Sequence, residues 1–200
     1  SFFGENHPSV ASGYYNIGYV YFAQGDYSKA LEYFEEVLKI RLSVYGENHS
    51  RVASVYNDIG EIYSVQGDDF KALDYFKKSL KIVLSVYGEN HSQVSSIYDH
   101  IGEIYFAQKD YSKALYYFEE SLKIRLSLFG ENHPEVALSY YSIGSLYIIQ
   151  GDKSKALNYY EKSLKIRLSV YGENHPLTKE IMDLINVANS KVLQSPETTK

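Results

Sequence analysis

The segment "YYNIGYVYFAQGDYSKALEYFEEVLKI", Tyr14 to Ile40, decides the fold of this 200-residue chain. Its first part repeats apolar residues at helical steps: with Val10 just upstream, Tyr14, Ile17 and Tyr21 line one face. Its second part makes another stripe, from Tyr27 through Ala30, Leu31, Phe34 and Leu38 to Leu42. Between them stands "QGD", Gln24 to Asp26. Gly25 suits the left-handed turn that ends a helix, and Asp26 suits the cap that starts one. The spacing predicts helices over about 8–24 and 27–44. No stretch alternates over a useful length, and Ala, Leu, Glu and Lys fill the second pattern, so strands are excluded.

The pair recurs every 42 residues. Aligning Gly4–Tyr45 with Gly88–Phe129 leaves about 29 of 42 positions identical. Units fall at about 4–45, 46–87, 88–129 and 130–171. A helix pair cannot bury its apolar face alone, whereas stacked pairs bury a continuous core, so the expectation is an all-α superhelical solenoid with a concave inner face. "QGD" returns at Gln66 and Gln150, but the third unit reads "QKD". Lys109 there is expected to cost roughly 1 kcal/mol relative to glycine if the turn keeps its shape.

Each unit is introduced by "GENH", beginning at Gly4, Gly46, Gly88, Gly130 and Gly172. Metal binding needs ligands converging on one ion, whereas equivalent positions in stacked hairpins lie roughly 10 Å or more apart. The five histidines therefore read as punctuation. Glycine ends the second helix in a left-handed conformation, Asn and His lie in the connection, and Pro8, Pro134 and Pro176 suit a first helical turn. After the fifth copy comes one helix, about 177–193, without a partner. It reads as a capping helix of a single array over 1–193, with 194–200 a disordered tail. The first helix would expose apolar surface, which points to end-to-end self-association. The chain starts inside a repeat, as if taken from a longer protein.

Composition narrows the function. Acidic residues outnumber basic ones, 25 to 20, which argues against nucleic acid or an anionic membrane as partner. There is no cysteine, so thiolate chemistry is excluded. No apolar run approaches the ~18 residues of a membrane span, and the expected location is cytoplasmic. "GYYNIG", Gly13 to Gly18, has phosphate-loop glycine spacing, but Tyr19 stands where lysine is required. No catalytic set is suggested, so neither enzyme activity nor a cofactor nor a metal is expected.

These residues resemble the tetratricopeptide repeat (TPR). The pattern positions are Tyr14, Ile17, Gly18, Tyr21, Ala30, Phe34 and Val37 and their equivalents in the next three units, with tyrosine in place of tryptophan. The 42-residue period with "GENHPxVA" resembles the kinesin light chain type. The resemblance implies a right-handed superhelix that scaffolds protein–protein interactions, with first helices lining a concave groove. It places inward Tyr15, Asn16, Tyr19 and Phe22; Asn57, Asp58, Glu61 and Ser64; Asp99, His100, Glu103 and Phe106; and Tyr141, Ser142, Ser145 and Ile148. None of these is Lys or Arg. The basic residues sit on the second helices, among them Arg41, Arg125 and Arg167, where the expectation is that they complement the helix dipole. TPR domains that clamp chaperone carboxylates, and kinesin light chains that hold acidic cargo peptides, use inward cations that this chain lacks. The expected ligand is instead a peptide or helical segment, basic near its middle and aromatic toward its ends, with His100 between Asp99 and Glu103 lending pH sensitivity. The alternative is a spacer or self-assembling array, from recent duplication or consensus-like design, suggested by near-identity at exposed positions such as Lys29 and Lys113.

Overall fold

The computed structural model describes residues 7–190; the expected tail and the last residues of the capping helix lie outside them. Among the described residues there are nine helices and no strand: α1 Pro8–Ala23, α2 Tyr27–Tyr45, α3 Ser50–Val65, α4 Asp69–Tyr87, α5 Ser92–Ala107, α6 Tyr111–Phe129, α7 Pro134–Gln150, α8 Lys153–Tyr171 and α9 Pro176–Ser190. The chain divides into two compact units, 1–104 and 105–200, the division falling inside α5.

In the first unit Ala11, Phe34, Val37, Val55, Ile59 and Ile62 form one core, so the hairpin α1/α2 packs directly on α3. In the second, Phe118, Leu122, Val136, Ile143, Leu146 and Ile166 do the same for α6, α7 and α8. The helices of a pair approach closely because glycine stands at the crossing. A Cβ on Gly60 would lie 2.9 Å from the Phe76 ring, and one on Gly144 would lie 2.6 Å from the Tyr160 ring. Buried serines tie the pairs further: Ser79 Oγ donates to the Ala53 carbonyl at 2.8 Å, and Ser163 Oγ to that of Ala137 at 2.7 Å.

The turns inside the pairs follow the sequence. Gly25, Gly67 and Gly151 have φ of 78°, 78° and 83°. Each following aspartate caps the next helix, Asp26 Oδ1 accepting from Lys29 N at 3.3 Å and Asp68 Oδ1 from Lys71 N at 3.1 Å, with Asp110 and Asp152 alike. The third turn keeps this shape although its residue is lysine: Lys109 has φ 62°, the one positive φ outside glycine among the described residues. Lys109→Gly is therefore expected to raise stability by about 1 kcal/mol, read as a higher urea midpoint at unchanged slope. A loss of stability would mean that the lysine side chain compensates for its backbone.

Two expectations about the ends of the second helices need correction. Gly46, Gly88, Gly130 and Gly172 do have positive φ, 76° to 79°, but their ψ lies near 180°. That is an extended region open essentially to glycine alone, and it turns the chain away from the helix rather than closing it as a left-handed cap would. The arginines, moreover, do not serve the helix dipole. The helices continue to Tyr45, Tyr87, Phe129 and Tyr171, and no basic residue lies in any last turn.

Candidate functional site

Each described "GENH" histidine has a structural task. His49 Nδ1 accepts from Arg51 N at 3.1 Å, and its ring stacks on Tyr45 at 4.6 Å. His91 pairs with Gln93 N and Tyr87, His133 with Glu135 N and Phe129, and His175 with Leu177 N and Tyr171. The imidazole thus caps the first helix of a pair while its face packs on the end of the preceding one. The sequence carried this signal as an aromatic residue four positions before each histidine. Histidine, however, is outside the usual capping set of Ser, Thr, Asp and Asn.

The conserved-looking lysines are explained similarly. Lys29 Nζ lies 2.9 Å from Asp26 Oδ2 and 5.0 Å from the centre of the Tyr21 ring, and Lys113 repeats both contacts with Asp110 and Tyr105. Identity at these exposed positions therefore has a local cause, cap plus cation–π contact.

The first unit gathers most of the polar candidates. Asp58 is half-buried. Burial pushes its carboxyl up to about 7, Glu61 adds to the rise, and a hydrogen bond from the Tyr15 hydroxyl and the charge of Arg41 oppose it. Glu61 Oε1 accepts from Asn57 Nδ2 at 2.6 Å and lies 3.4 Å from His100 Nε2. The His100 ring stacks on Phe76 at 5.0 Å, almost parallel. Burial lowers the basicity of this imidazole, yet the bond and charge of Glu61, with the charges of Glu103 and Asp99, raise it overall. The main partner of His100 is thus Glu61 on a neighbouring helix, rather than the flanking Asp99 and Glu103 as expected. Chain adjacency on α5 showed Asp99 and the i→i+3 spacing showed Glu103, whereas the inter-helix register that brings Glu61 across was not visible.

The aromatic candidates divide by unit. In the first, Tyr15 packs edge-on against Phe34 at 5.4 Å, Phe22 leans on Tyr27, and Tyr19 and Asn16 are exposed. In the second, Phe106 packs on Tyr111, and Tyr141 donates to Glu180 Oε1 at 3.0 Å beneath the Arg167 guanidinium. Glu103 is exposed, and Asp99 is half-buried.

Sequence reasoning missed the arginines. Arg41 stacks on Tyr15 at 4.9 Å and donates from Nη1 to the Arg51 carbonyl at 2.7 Å and to Ser54 Oγ at 3.0 Å. Arg167 repeats the arrangement over Tyr141, donating to the Leu177 carbonyl at 2.6 Å. Arg125, 4% exposed, binds Ser139 Oγ at 2.8 Å and Glu135 Oε2 at 2.9 Å. Each arginine reaches from a second helix to the next first helix.

Antiparallel helix pairs with glycine at the crossing and a capped turn define a helical-repeat protein. Residues 9–85, 51–127 and 93–169 match the tetratricopeptide repeat, and the chain belongs to that family. No curated protein sequence matches. Solved structures with a similar fold include BtubC (BKLC) from P. vanneervenii, 19% identical with a TM-score of 0.77, covering 96% of this chain and 85% of that one. A Podosopora anserina protein described as a putative kinesin light chain, with nearly identical TPR-like repeats, is 16% identical, TM-score 0.72, covering 94% of this chain and 99% of that one. The apo form of RapI is 18% identical, TM-score 0.77, covering 92% of this chain and 64% of that one. The fold is thus an all-α TPR array with kinesin light chain-like neighbours. Such repeats are, as a rule, protein-interaction scaffolds rather than catalysts. Among the described residues no helix is long and apolar enough to cross a membrane.

Proposed function

We propose that the chain binds a protein segment through the first-helix face of α3 and α5, and that this segment is basic where it meets them. The observation that carries the reading is the convergence of acidic charge in the first unit. Glu61, Glu103 and Asp99 all act on one imidazole, and Glu61 acts on Asp58 as well. The Arg41 guanidinium, whose charge acts on Asp58, has its hydrogen bonds turned to Arg51 and Ser54. Opposite charge would steer the encounter, and the aromatic side chains Tyr15, Tyr19 and Phe22 would supply apolar contact in the same unit.

The test is fluorescence anisotropy with labelled peptides carrying central Lys/Arg and aromatic ends, against acidic versions of the same peptides. Basic peptides should bind, with affinity falling as salt rises. Glu103→Lys, an exposed change, should weaken them about tenfold, and Glu61→Lys with Glu103→Lys should abolish binding. Preference for acidic peptides, or indifference to both variants, would overturn the reading.

A second reading, end-to-end self-association, is favoured by one contrast. Ile17 is 41% exposed, while its equivalents Ile59, Ile101 and Ile143 are 0% exposed. Val20 beside it is 52% exposed. Light scattering decides: mass rising with concentration, and Ile17→Lys suppressing the rise, would support it.

A further inference from the structure

We propose that the pocket between α3, α4 and α5 is a binding site for a guanidinium group, the side chain of an arginine on the partner segment. This deepens the basic-segment reading and, for peptide ligands, rests on it. The argument begins with a substitution between repeats. Arg41, Arg125 and Arg167 occupy one repeat position, separated by multiples of the 42-residue period, and Val83 occupies the same position in the second unit of the repeat. The residue on which the arginine lies has also changed. Arg41 stacks on Tyr15 and Arg167 on Tyr141, and the equivalent residue beside Val83 is Asn57. An aromatic ring and a guanidinium are both replaced by smaller groups.

The space they leave is a pocket of about 110 Å³, lined by Asn57, Asp58, Val83, Gln93 and Ser96 among others. That exceeds the roughly 10–15 Å³ a single water needs. The pocket is partly open to solvent, and Ser96 in its wall is exposed.

The chemistry of the lining is one-sided. Asn57 Oδ1, Asp58 Oδ2 and Gln93 Oε1 are buried acceptors with no donor from the protein. The hydroxyl hydrogens nearby are already committed. Ser54 donates to the Arg51 carbonyl, Ser79 to that of Ala53 and Ser96 to that of Ser92. Asn57 Nδ2 is spent on Glu61. Asn57, Asp58 and Gln93 all line the pocket, and their unpartnered oxygens, one of them on a carboxyl, are acceptors left without a donor beside it. Buried acceptors without partners are costly, and a guest with several donors and a positive charge relieves that cost.

The other repeats show which guest fits. Arg41 bonds the carbonyl of Arg51 and the hydroxyl of Ser54. The residues equivalent to these, 42 positions on, are Gln93 and Ser96, both in the pocket wall. A planar fork of donors suits a carbonyl, an amide oxygen and a carboxylate together, which a compact ammonium matches less well. Arg41 itself does not fill the site, since its own bonds and its ring contact lie one repeat earlier.

Three arms test this. In the first, isotope-labelled protein is titrated with methylguanidinium chloride, with methylammonium chloride as the control, and NMR reads the side-chain amides of Asn57 and Gln93. Methylguanidinium should shift both with saturation in the millimolar range, and methylammonium should bind at least about fivefold more weakly.

In the second arm, Val83→Arg should fill the pocket from within, abolishing these shifts and raising Tm above that of Val83→Met by roughly 2–4 °C. Methionine fills the same space without donors. No saturable methylguanidinium shift, together with Val83→Arg melting below Val83→Met, would overturn the proposal.

The third arm separates the site from the groove. A basic peptide with one central arginine should bind about tenfold better than its lysine version, and Val83→Arg should erase that difference. Equal binding of both peptides, unaffected by Val83→Arg, would sink the arginine pocket and leave the basic groove standing. Methylguanidinium binding without any peptide binding would do the reverse.

Discussion

Phe76→Ala is expected to lower stability by about 3–5 kcal/mol, the range for removing a fully buried aromatic side chain. Phe76 is 0% exposed, and its ring fills the space that Gly60 leaves at the α3/α4 crossing, where a Cβ would come within 2.9 Å. Nothing flexible stands ready to move in: the glycine has no side chain, and the neighbouring Ile59, Ile62 and Ala72 are themselves fully buried. One face of the ring carries the His100 imidazole. Truncation therefore leaves a cavity and removes the platform that holds His100 against Glu61. Small domains are stable by about 5–15 kcal/mol, so this one change should remove a large share. Urea unfolding followed by circular dichroism measures it. Phe76→Leu should lose less because it keeps most of the apolar volume. A loss below about 1 kcal/mol for alanine would mean that the crossing collapses onto the gap, and that glycine and phenylalanine are not fitted to each other.

The helix pairs were legible because two signals agree throughout: apolar residues at helical steps, and turn residues at the breaks. Even the odd turn could be read. The cost at "QKD" was conditional on the turn keeping its shape, and Lys109 does hold the glycine conformation. What sequence could not give is the register between helices. The spacing on α5 suggested Asp99 and Glu103 as partners of His100, yet Glu61 is the residue in contact, because helix packing brings α3 alongside. The arginines were misjudged for a related reason. Near a helix end they resembled dipole partners, but a long side chain reaches past its own helix, and its acceptor lies 10 to 14 residues away in sequence. The 42-residue alignment does show Val83 standing where three other units have arginine, but what that arginine reaches, and hence the space its loss leaves, depends on the packing between helices. The histidines were read as punctuation, and they are, but as caps that also stack.

Stability is expected to fall as pH rises from about 4 to about 7, and Asp58→Asn should remove most of that fall. The Asp58 carboxyl is pushed up to about 7 from an ordinary value of 3.8, chiefly by burial. Between those values the folded chain holds a proton that the unfolded chain has released. Raising pH through this window therefore favours unfolding. The full difference corresponds to something on the order of 4 kcal/mol. His100 adds a decline of the same sign further up. Its basicity is raised above 6.5, so its stabilisation is complete below 6.5 and lost as pH climbs through the raised value. The four capping aspartates act elsewhere. Asp26, Asp68, Asp110 and Asp152 are held below 3.8 by their lysine partners and the helix amides, so their contribution is present above 3.8 and lost only on acidification below it. Maximum stability should thus lie near pH 4–5, lower than the usual range. Urea midpoints at half-unit steps from about pH 4 to pH 9 would show it. Asp58→Asn should flatten the curve up to about 6.5 and keep the His100 decline beyond, while His100→Gln should do the converse. A wild-type chain whose stability rises between pH 5 and 7 would show that Asp58 is already ionised in the fold. The same carboxyl ties stability to binding. A guanidinium beside Asp58 favours its ionised form, so methylguanidinium should bind more tightly as pH rises toward 8 and release protons when it binds at pH 6. Asp58→Asn should abolish both the proton release and the pH dependence of affinity.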